Sequence, residues 1–238
     1  MLELRDCKIG KGTILYSIDQ LVLQPGRLVV LIGANGAGKS TLLDAIAIGQ
    51  PKNGTITFKG QLLEDMTVKE RSRCISLVES QFAGAEYLST VEYLELGRFP
   101  YTGFQGRLTA TDTAIVERIT TSFGLTKLLQ QPTMTLSDGE RQRASIARAL
   151  IQETPIVLLD EPTSFLDYPN KRAMMRMLQT IAHSEQKIVL LASHDLELCL
   201  EYSDECLVVN PRTGQLEQYQ TANLSLEQLI ALAFDESL

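Results

Sequence analysis

Residues 33–41 read Gly33-Ala34-Asn35-Gly36-Ala37-Gly38-Lys39-Ser40-Thr41, which matches the spacing of a phosphate-binding loop. The glycines let the backbone approach an anion closely, so that successive amide groups can surround phosphate oxygens. Lys39 supplies a cation for the β- and γ-phosphates, and the Ser40 hydroxyl is placed to bind Mg²⁺. An ordinary glycine turn between a strand and a helix would need neither side chain. We therefore interpret residues 33–41 as a nucleotide-phosphate site.

The sequence on either side of this loop predicts a strand and a helix. Residues 28–32 form a continuous apolar run, as expected for a strand that is buried on both faces. Residues 42–48 have the composition of a helix, and Gly49 is suited to end it. A phosphate bound between the two elements would lie at the positive end of the helix dipole.

The overall composition limits the classes of partner. The chain has 238 residues, of which 22 are basic and 29 acidic, and its formal net charge is −7. That balance argues against a nucleic-acid binder that relies on its overall charge. No apolar run approaches the ~20 residues that span a bilayer, and the charged first residues lack the form of a signal peptide. We expect a cytosolic protein whose four cysteines are reduced thiols.

The order of the predicted elements indicates an α/β protein with a mixed central sheet. Short β-like segments within residues 2–23 and 55–58 predict an antiparallel β layer at the N-terminus. The character of the chain then changes to helices over residues 82–152. We expect one domain, with residues 1–81 and 153–238 forming the nucleotide-binding core and residues 82–152 forming an inserted helical subdomain.

Within the helical block, three segments have the pattern of helix N-termini: Ser89 to Glu92, Thr109 to Asp112, and Ser137 to Glu140. The third has two explanations. Ser137 and Glu140 form a capping box by themselves, but Gly139 costs about 1 kcal/mol of helix propensity relative to alanine. A glycine there favours close approach of a ligand, and a helix N-terminus with a serine hydroxyl is a second anion site. The residues alone leave both explanations open.

Two adjacent carboxylates follow an apolar strand. Residues 156–159 are apolar and lead directly to Asp160 and Glu161. Because buried acidic residues are rare without a partner, a cation fits this position, and Asp160 is a candidate Mg²⁺ residue, directly or through water. Glu161 is placed to activate an attacking water as a general base. The alternative is that both acids cap the following turn.

The C-terminal part of the chain adds further polar candidates. Asp167 and Pro169 predict the start of a helix. Residues 187–192 predict another buried strand, which is followed by His194 and Asp195. We expect Asp195 to cap the next helix. A histidine just beyond a strand lies where ligands bind in open α/β sheets, although a lone histidine is more often structural.

Together these motifs resemble those of the ATP-binding subunits of ABC transporters, over essentially the whole chain. The order of the six motifs is far more specific than any one of them. In chain order, they are similar to the Walker A motif at residues 33–41, the Q-loop glutamine at Gln81, the signature motif at 136–140, the Walker B motif at 156–160 with the catalytic glutamate at Glu161, the D-loop at 164–167, and the switch histidine at His194.

The resemblance implies a P-loop NTPase fold and an ATPase that uses ATP and Mg²⁺. It also implies a head-to-tail dimer with two composite sites, in which Ser137 and Gly139 of one copy contact the γ-phosphate held by Lys39 of the other. Asp167 of the D-loop would also belong to the nucleotide site. The catalytic residues implied are Glu161, His194 and Gln81, and the residues implied for Mg²⁺ are Ser40, Gln81 and Asp160.

The same resemblance implies partners and a location. In this family the helical subdomain docks on a membrane permease, so the chain is expected at the cytoplasmic face of the membrane, with a substrate-binding protein as an indirect partner and no nucleic acid. Residues 90–91 and 97–101 resemble the helical subdomain of importers for iron-siderophores, haem and cobalamin. We expect an importer ATPase that powers uptake of such a metal chelate.

The chain departs from the family pattern at two places. The signature motif usually reads Leu-Ser-Gly-Gly-Gln, whereas Asp138 and Glu140 stand here for the first glycine and the glutamine. Since Ser137 and Gly139 are retained, we expect activity to survive. The adenine is commonly stacked on an aromatic residue near the N-terminus. Our alignment by position puts Ile9 there, with Tyr16 out of step.

Two other classes of function fit the sequence less well. Soluble ABC ATPases that act on nucleic acid or ribosomes carry long coiled-coil insertions, zinc-binding insertions or two cassettes in one chain, and this sequence shows none of these features. A small-molecule phosphoryl transferase with a phosphate loop would need neither residues 137–140 nor the combination of Glu161 with His194.

Overall fold

The computed structural model of the chain describes residues 1–103 and 105–234. Ten strands in these residues form one sheet. The strands are β1 (Leu2–Ile9), β2 (Tyr16–Leu23), β3 (Arg27–Ile32), β4 (Asn53–Phe58), β5 (Gln61–Leu62), β6 (Ile75–Val78), β7 (Ile156–Asp160), β8 (Ile188–Ala192), β9 (Glu205–Asn210) and β10 (Gln215–Gln220).

Eight α-helices lie in the same described residues. They are α1 (Lys39–Ile48), α2 (Val68–Cys74), α3 (Thr90–Glu95), α4 (Ala110–Ser122), α5 (Asp138–Ile151), α6 (Tyr168–Ser184), α7 (Leu196–Tyr202) and α8 (Leu226–Phe234). Short 3₁₀ segments cover Leu96–Tyr101, Thr126–Leu128, Thr133–Thr135 and Thr221–Asn223. The predicted helix after the phosphate loop is α1, and it ends at Gly49, whose φ of 74° is left-handed, as predicted.

The site-bearing half of the sheet is parallel. Its five strands lie in the order β9-β3-β8-β7-β6. Ala192 at the end of β8 lies opposite Leu31 of β3 on one side and Asp160 of β7 on the other. The carboxyl ends of these strands are therefore level, and the loops that follow them meet at one edge of the sheet, where open α/β sheets bind ligands.

The parallel strands are covered on both faces, which explains their apolar sequences. Val30 and Leu191 belong to a core cluster packed against α5 and α6, whereas Val29 and Leu190 belong to a second cluster that includes residues of α1. All four side chains are fully buried. The predicted strand at residues 28–32 is thus confirmed as a central, two-sided strand.

The antiparallel β layer predicted at the N-terminus is confirmed, and it is joined to the central sheet. β1 pairs with β2 and with β4, and both pairings are antiparallel. β2 then meets β10 through the pair Ser17 and Gln215, and β10 runs antiparallel to β9. The antiparallel strands therefore continue the central sheet through β10.

The three helix N-termini predicted in the helical block are confirmed. The residues before α3, α4 and α5 are Ser89, Thr109 and Ser137, and each forms a capping box with the acid three residues later. Each hydroxyl accepts a bond from a backbone amide of the first turn, which stabilises such a helix by about 1 kcal/mol.

A buried arginine fixes the segment between α3 and α4. The Arg98 guanidinium donates to Asp112 Oδ1 at 2.7 Å, to the Ile151 carbonyl at 2.9 Å and to Glu153 Oε2 at 3.1 Å. Hydrogen bonds from Thr109 hold the pKa of Asp112 below its ordinary value, and the hydrogen bond and charge of Arg98 add a smaller effect in the same direction. The segment Leu96–Tyr101 is thereby held against the ends of α4 and α5.

Candidate functional site

An open cavity of about 440 Å³ lies at the carboxyl edge of the parallel strands. Its wall brings together residues from three separate parts of the sequence: Gly36, Lys39, Ser40, Gln81, Asp160 and Glu161. Asn35, Gly38 and Thr41 of the loop also line it. The structure thus assembles most of the residues that the sequence predicted for the phosphates, the cation and the chemistry. Gly33, Ala34 and Ala37 belong to the same loop but do not line the cavity.

The phosphate loop holds a buried lysine. Lys39 Nζ donates to the carbonyl oxygens of Gly33 at 2.8 Å and Ala34 at 3.3 Å, and the side chain is buried. Gly38 has a φ of +96°, and a Cβ at this position would lie 2.7 Å from Leu15 Cδ1. The left-handed conformation therefore favours glycine, whereas the Leu15 methyl belongs to a flexible side chain that can move aside. The loop therefore forms a concave site for phosphates, with the Lys39 ammonium group against its inner wall.

Asp160 has the properties expected of a cation ligand. Its carboxylate is buried, and the Ser40 hydroxyl lies beside it. Burial raises its pKa, the charge of Glu161 raises it further, and Ser40 and Lys39 act in the opposite direction. Oδ1 has no hydrogen-bond partner among the described residues. Because a buried carboxylate oxygen without a partner is unfavourable, the pair Ser40 and Asp160 fits a hard cation such as Mg²⁺.

Glu161 turns sharply out of the end of β7. Its φ is +52°, a left-handed conformation that is uncommon outside glycine and is frequent at functional sites. Its Oε2 atom lies 2.6 Å from Nδ1 of His194, which follows the adjacent strand β8. The Ser164 hydroxyl donates to the same oxygen at 3.2 Å. One carboxylate oxygen is therefore held in place, at the wall of the cavity.

The signature segment lies outside this cavity. Ser137 caps α5 and is bonded to Glu140, whose pKa it lowers. The start of α5 borders a second cavity, of which Asp138, Arg141 and Gln142 form part of the wall. Among the described residues that line the first cavity, none belongs to 136–140. Asp167 does not line it either; its Oδ1 accepts the Asn170 amide at 3.0 Å and caps α6.

The prediction that Ile9 contacts adenine is wrong. Ile9 is 1% exposed and packs in the core beneath the loop, so it offers no surface to a base. Tyr16 is equally buried, with its hydroxyl 3.4 Å from the Gly38 carbonyl oxygen. Leu15, between them, is 42% exposed and lines the cavity. Sequence reasoning missed Leu15, since an apolar residue in a short turn before a strand carries no distinctive pattern.

The expected cap at Asp195 is also wrong in its chemistry. Asp195 stands at the N-cap position of α7, but its side chain makes no capping bond. Its carboxylate instead accepts bonds from Lys171 Nζ and from the Thr163 hydroxyl. A cation and a hydroxyl from neighbouring segments compete successfully with the neutral amides of α7 for this carboxylate.

The geometry therefore combines a phosphate cradle, a candidate cation site and a carboxylate–histidine pair. Residues 17–164 match the sequence model of the family described as ABC transporter, which covers more than half of the chain. The chain belongs to the ABC transporter family. This ABC ATPase is an ATP-binding subunit and an ATP-hydrolysing enzyme, as the motifs predicted.

Individual relatives agree with this assignment. The chain is 32% identical to the petrobactin import ATP-binding protein FpuD of Bacillus anthracis, over 89% of this chain and 78% of that protein. It is 38% identical to the cobalamin import ATP-binding protein BtuD of Halobacterium salinarum, over 83% of this chain and 50% of that protein. A solved ATP-binding subunit of an ABC transporter superposes with a TM-score of 0.82 at 25% identity, covering 97% of this chain and 98% of the other.

No helix within residues 1–103 and 105–234 of this ABC ATPase is long and apolar enough to cross a bilayer. The four cysteines Cys7, Cys74, Cys199 and Cys206 are free thiols. Burial raises the pKa of each of these thiols, and the fully buried Cys7, Cys199 and Cys206 behave as apolar core residues.

Proposed function

We propose that two copies of this ABC ATPase form a head-to-tail dimer with two composite ATP sites and power the uptake of a metal chelate through a membrane permease. The observation that carries the dimer is the separation of the signature segment from the cavity that holds Lys39. A chain with one phosphate loop has a second helix N-terminus suited to an anion, and none of the described residues 136–140 lines the chain's own cavity. A second copy supplies the missing half of each site.

Gly139 supports this arrangement. A Cβ at Gly139 would lie 3.4 Å from the Phe165 carbonyl oxygen and 3.5 Å from Leu166 Cδ2, which are ordinary contacts. No contact with residues 1–103 or 105–234 of the same chain therefore requires glycine in the first turn of α5, where it lowers helix propensity. Close approach of a phosphate held by another copy gives a reason for it. Ser137 and Gly139 would then bind the γ-phosphate, and Asp167 would lie near the same interface.

Different residues of the cavity serve phosphate binding, metal binding and proton transfer. Lys39 binds the β- and γ-phosphates, and Ser40, Asp160 and Gln81 would hold Mg²⁺. The metal, when bound, neutralises charge that develops on the phosphates. Glu161 accepts a proton from the attacking water, and His194 Nδ1 keeps the carboxylate in one orientation through the 2.6 Å contact. The role of His194 is thus to hold the general base.

A packed chain of side chains leads from the cavity to the helical block at residues 82–152. Gln81 lines the cavity, and the next residue, Phe82, stacks on Tyr93 of α3 with ring centroids 4.4 Å apart. The Tyr93 hydroxyl donates to Ser145 of α5 at 3.1 Å. A shift of Gln81 on nucleotide binding is therefore passed to two helices at once, and we propose that these helices move the permease.

The solute class comes from the relatives and from two short segments. Relatives are named for import of petrobactin and cobalamin, and residues 90–91 and 97–101 resemble the same importer group. In this chain, Arg98 fixes the second segment and leaves Phe99 70% exposed. We propose a metal chelate of the iron-siderophore, haem or cobalamin type as the solute. The dimer would work at the cytoplasmic face of the membrane, with a substrate-binding protein on the other side.

Reconstitution tests this function. The ATPase is placed in vesicles with its cognate permease and substrate-binding protein, and the movement of labelled siderophore, haem and cobalamin is followed with and without ATP. ATP-driven movement of a chelate toward the side that carries the ATPase is expected. Movement of an unrelated solute, or movement in the opposite direction, would contradict the solute class and leave the ATPase assignment intact. An ATPase that no permease stimulates would contradict the transport function.

A further inference from the structure

The carboxylate of Asp195 joins three segments of the catalytic edge. Lys171 Nζ, in the first turn of α6, donates to its two oxygens at 3.0 and 3.1 Å. Thr163, two residues after Glu161, donates its hydroxyl to Oδ2 at 2.8 Å. We call Thr163, Lys171 and Asp195 the Asp195 cluster. It connects the segment that carries Glu161, the start of α6 and the residue next to His194.

The Asp195 cluster is largely protected from solvent, which strengthens its hydrogen bonds. Thr163 is 3% exposed, and the side chains of Lys171 and Asp195 are 20% and 21% exposed. Charge-assisted bonds in such surroundings are less screened than those on an open surface. Asp195 also gives up the capping bond that its position before α7 would allow. The carboxylate is therefore used to connect segments rather than to end a helix.

His194 depends on its neighbours for its position. Its side chain is 54% exposed and meets Glu161 through Nδ1 only. The linker between β8 and α7 is Ser193-His194-Asp195, in which the Ser193 hydroxyl accepts the Asp195 amide at 3.1 Å. On the other side of His194, the Asp195 carboxylate is bound by Lys171 and Thr163. The backbone on the C-terminal side of His194 is thus fixed to the same turn that carries Glu161.

We propose that Lys171 is a positioning residue for hydrolysis, which acts through Asp195 to set the distance between His194 and Glu161. This inference rests on the proposed roles of Glu161 and His194. Without the Lys171 ammonium, Asp195 is a partly buried carboxylate with one neutral donor, and it turns toward solvent or toward the amides of α7. His194 then shifts, and the Glu161 carboxylate loses its fixed orientation. Lys171 touches neither the phosphate loop nor the cation site, so ATP binding is unaffected.

The test compares steady-state hydrolysis of ATP by full-length variants. Lys171→Met should lower kcat by on the order of tenfold or more, because small displacements of catalytic groups have effects of that size. The KM for ATP should stay near that of the wild type. Lys171→Arg keeps the charge and should restore most of kcat. Arg172→Met is the matched control, since Arg172 also joins α6 to α7, through Glu201 and the Tyr202 hydroxyl, without touching Asp195.

A double-mutant cycle with His194→Ala separates positioning from simple packing. If Lys171 acts through His194, Lys171→Met should have little further effect on kcat in the His194→Ala background. The imidazole NMR signals of His194 should also shift in Lys171→Met, while those of His183, the other histidine, should not.

The outcomes distinguish the two levels of the account. If His194→Ala alone leaves kcat unchanged, the proposed role of His194 fails. If His194→Ala lowers kcat but Lys171→Met does not, only the positioning role of Lys171 fails. Equal effects of Lys171→Met in both backgrounds, or the same loss of kcat in Arg172→Met, would show that Lys171 contributes to helix packing and would overturn the inference.

Discussion

Glu161 and His194 meet with 2.6 Å between Oε2 and Nδ1 because the strands that precede them end level with each other. Asp160 of β7 lies opposite Ala192 of β8, so the residues that follow these two strands emerge side by side. The left-handed backbone of Glu161 then turns its carboxylate toward both the cavity and the histidine. The register of two buried strands therefore determines the geometry of the proposed general base.

Removing the histidine should affect turnover more than binding. His194→Ala leaves the cavity wall intact but leaves the Glu161 carboxylate with the Ser164 hydroxyl and without the histidine contact, so kcat should fall by about 10²-fold. ATP affinity, measured by calorimetry, should stay near that of the wild type. His183→Ala is the control, because His183 contacts Asp204 at 3.0 Å, away from the site. Unchanged phosphate release by His194→Ala would contradict the contact's proposed role.

Lys39 should be needed for ATP affinity. Lys39→Ala removes the ammonium that the loop carbonyls of Gly33 and Ala34 hold in place. Hydrogen bonds to charged groups contribute about 1.5–3 kcal/mol, which corresponds to roughly a 10- to 100-fold loss of affinity. Calorimetric titration with ATP measures this loss, and thermal unfolding checks that the variant is folded. An affinity equal to that of the wild type would remove Lys39 from phosphate binding.

Leu15 should contact the base, in place of the residue first expected there. Leu15→Tyr should tighten binding of ATP and GTP alike by about 0.5–1.5 kcal/mol, because a ring stacks on either purine. Ile9→Tyr should instead lower the free energy of unfolding by about 1–3 kcal/mol, since it overfills a packed core. Nucleotide titration of both variants, with urea unfolding, measures the two effects. Tighter binding by a folded Ile9→Tyr would reverse this assignment.

The buried Asp160 carboxylate should lower the free energy of unfolding at neutral pH, although it serves cation binding. Burial raises its pKa above the ordinary value of 3.8, so the folded state binds the proton more tightly than the unfolded state. The free energy of unfolding therefore falls as the pH rises above about 3.8, and the loss persists at neutral pH. Asp160→Asn should unfold at higher urea concentration than the wild type at pH 7 and should not hydrolyse ATP. A less stable variant at that pH would contradict the sign of this effect.

The phosphate loop and its flanks could be predicted because their determinants are local. Glycine spacing, the apolar run at residues 28–32 and the capping pairs act within a few residues, and the structure confirms them. Ile9 and Asp195 could not be assigned correctly, because each depends on contacts between distant segments. Ile9 is buried by the packing of α1 onto the sheet. The Asp195 carboxylate accepts hydrogen bonds from Lys171, which is far away in the sequence. Side-chain orientation at the site therefore required the three-dimensional structure.

The most direct test of the central claim is the state of Glu161→Gln in ATP. Two copies should bind ATP between Lys39 of one and Ser137 of the other, and the variant should close this interface without reopening it by hydrolysis. Light scattering with Mg²⁺ and ATP should give a dimer, and hydrolysis should fall by about 10²-fold. The wild type without nucleotide is the reference for the open state. A Glu161→Gln protein that remains monomeric in ATP, or that hydrolyses ATP at nearly the wild-type rate, would contradict the account.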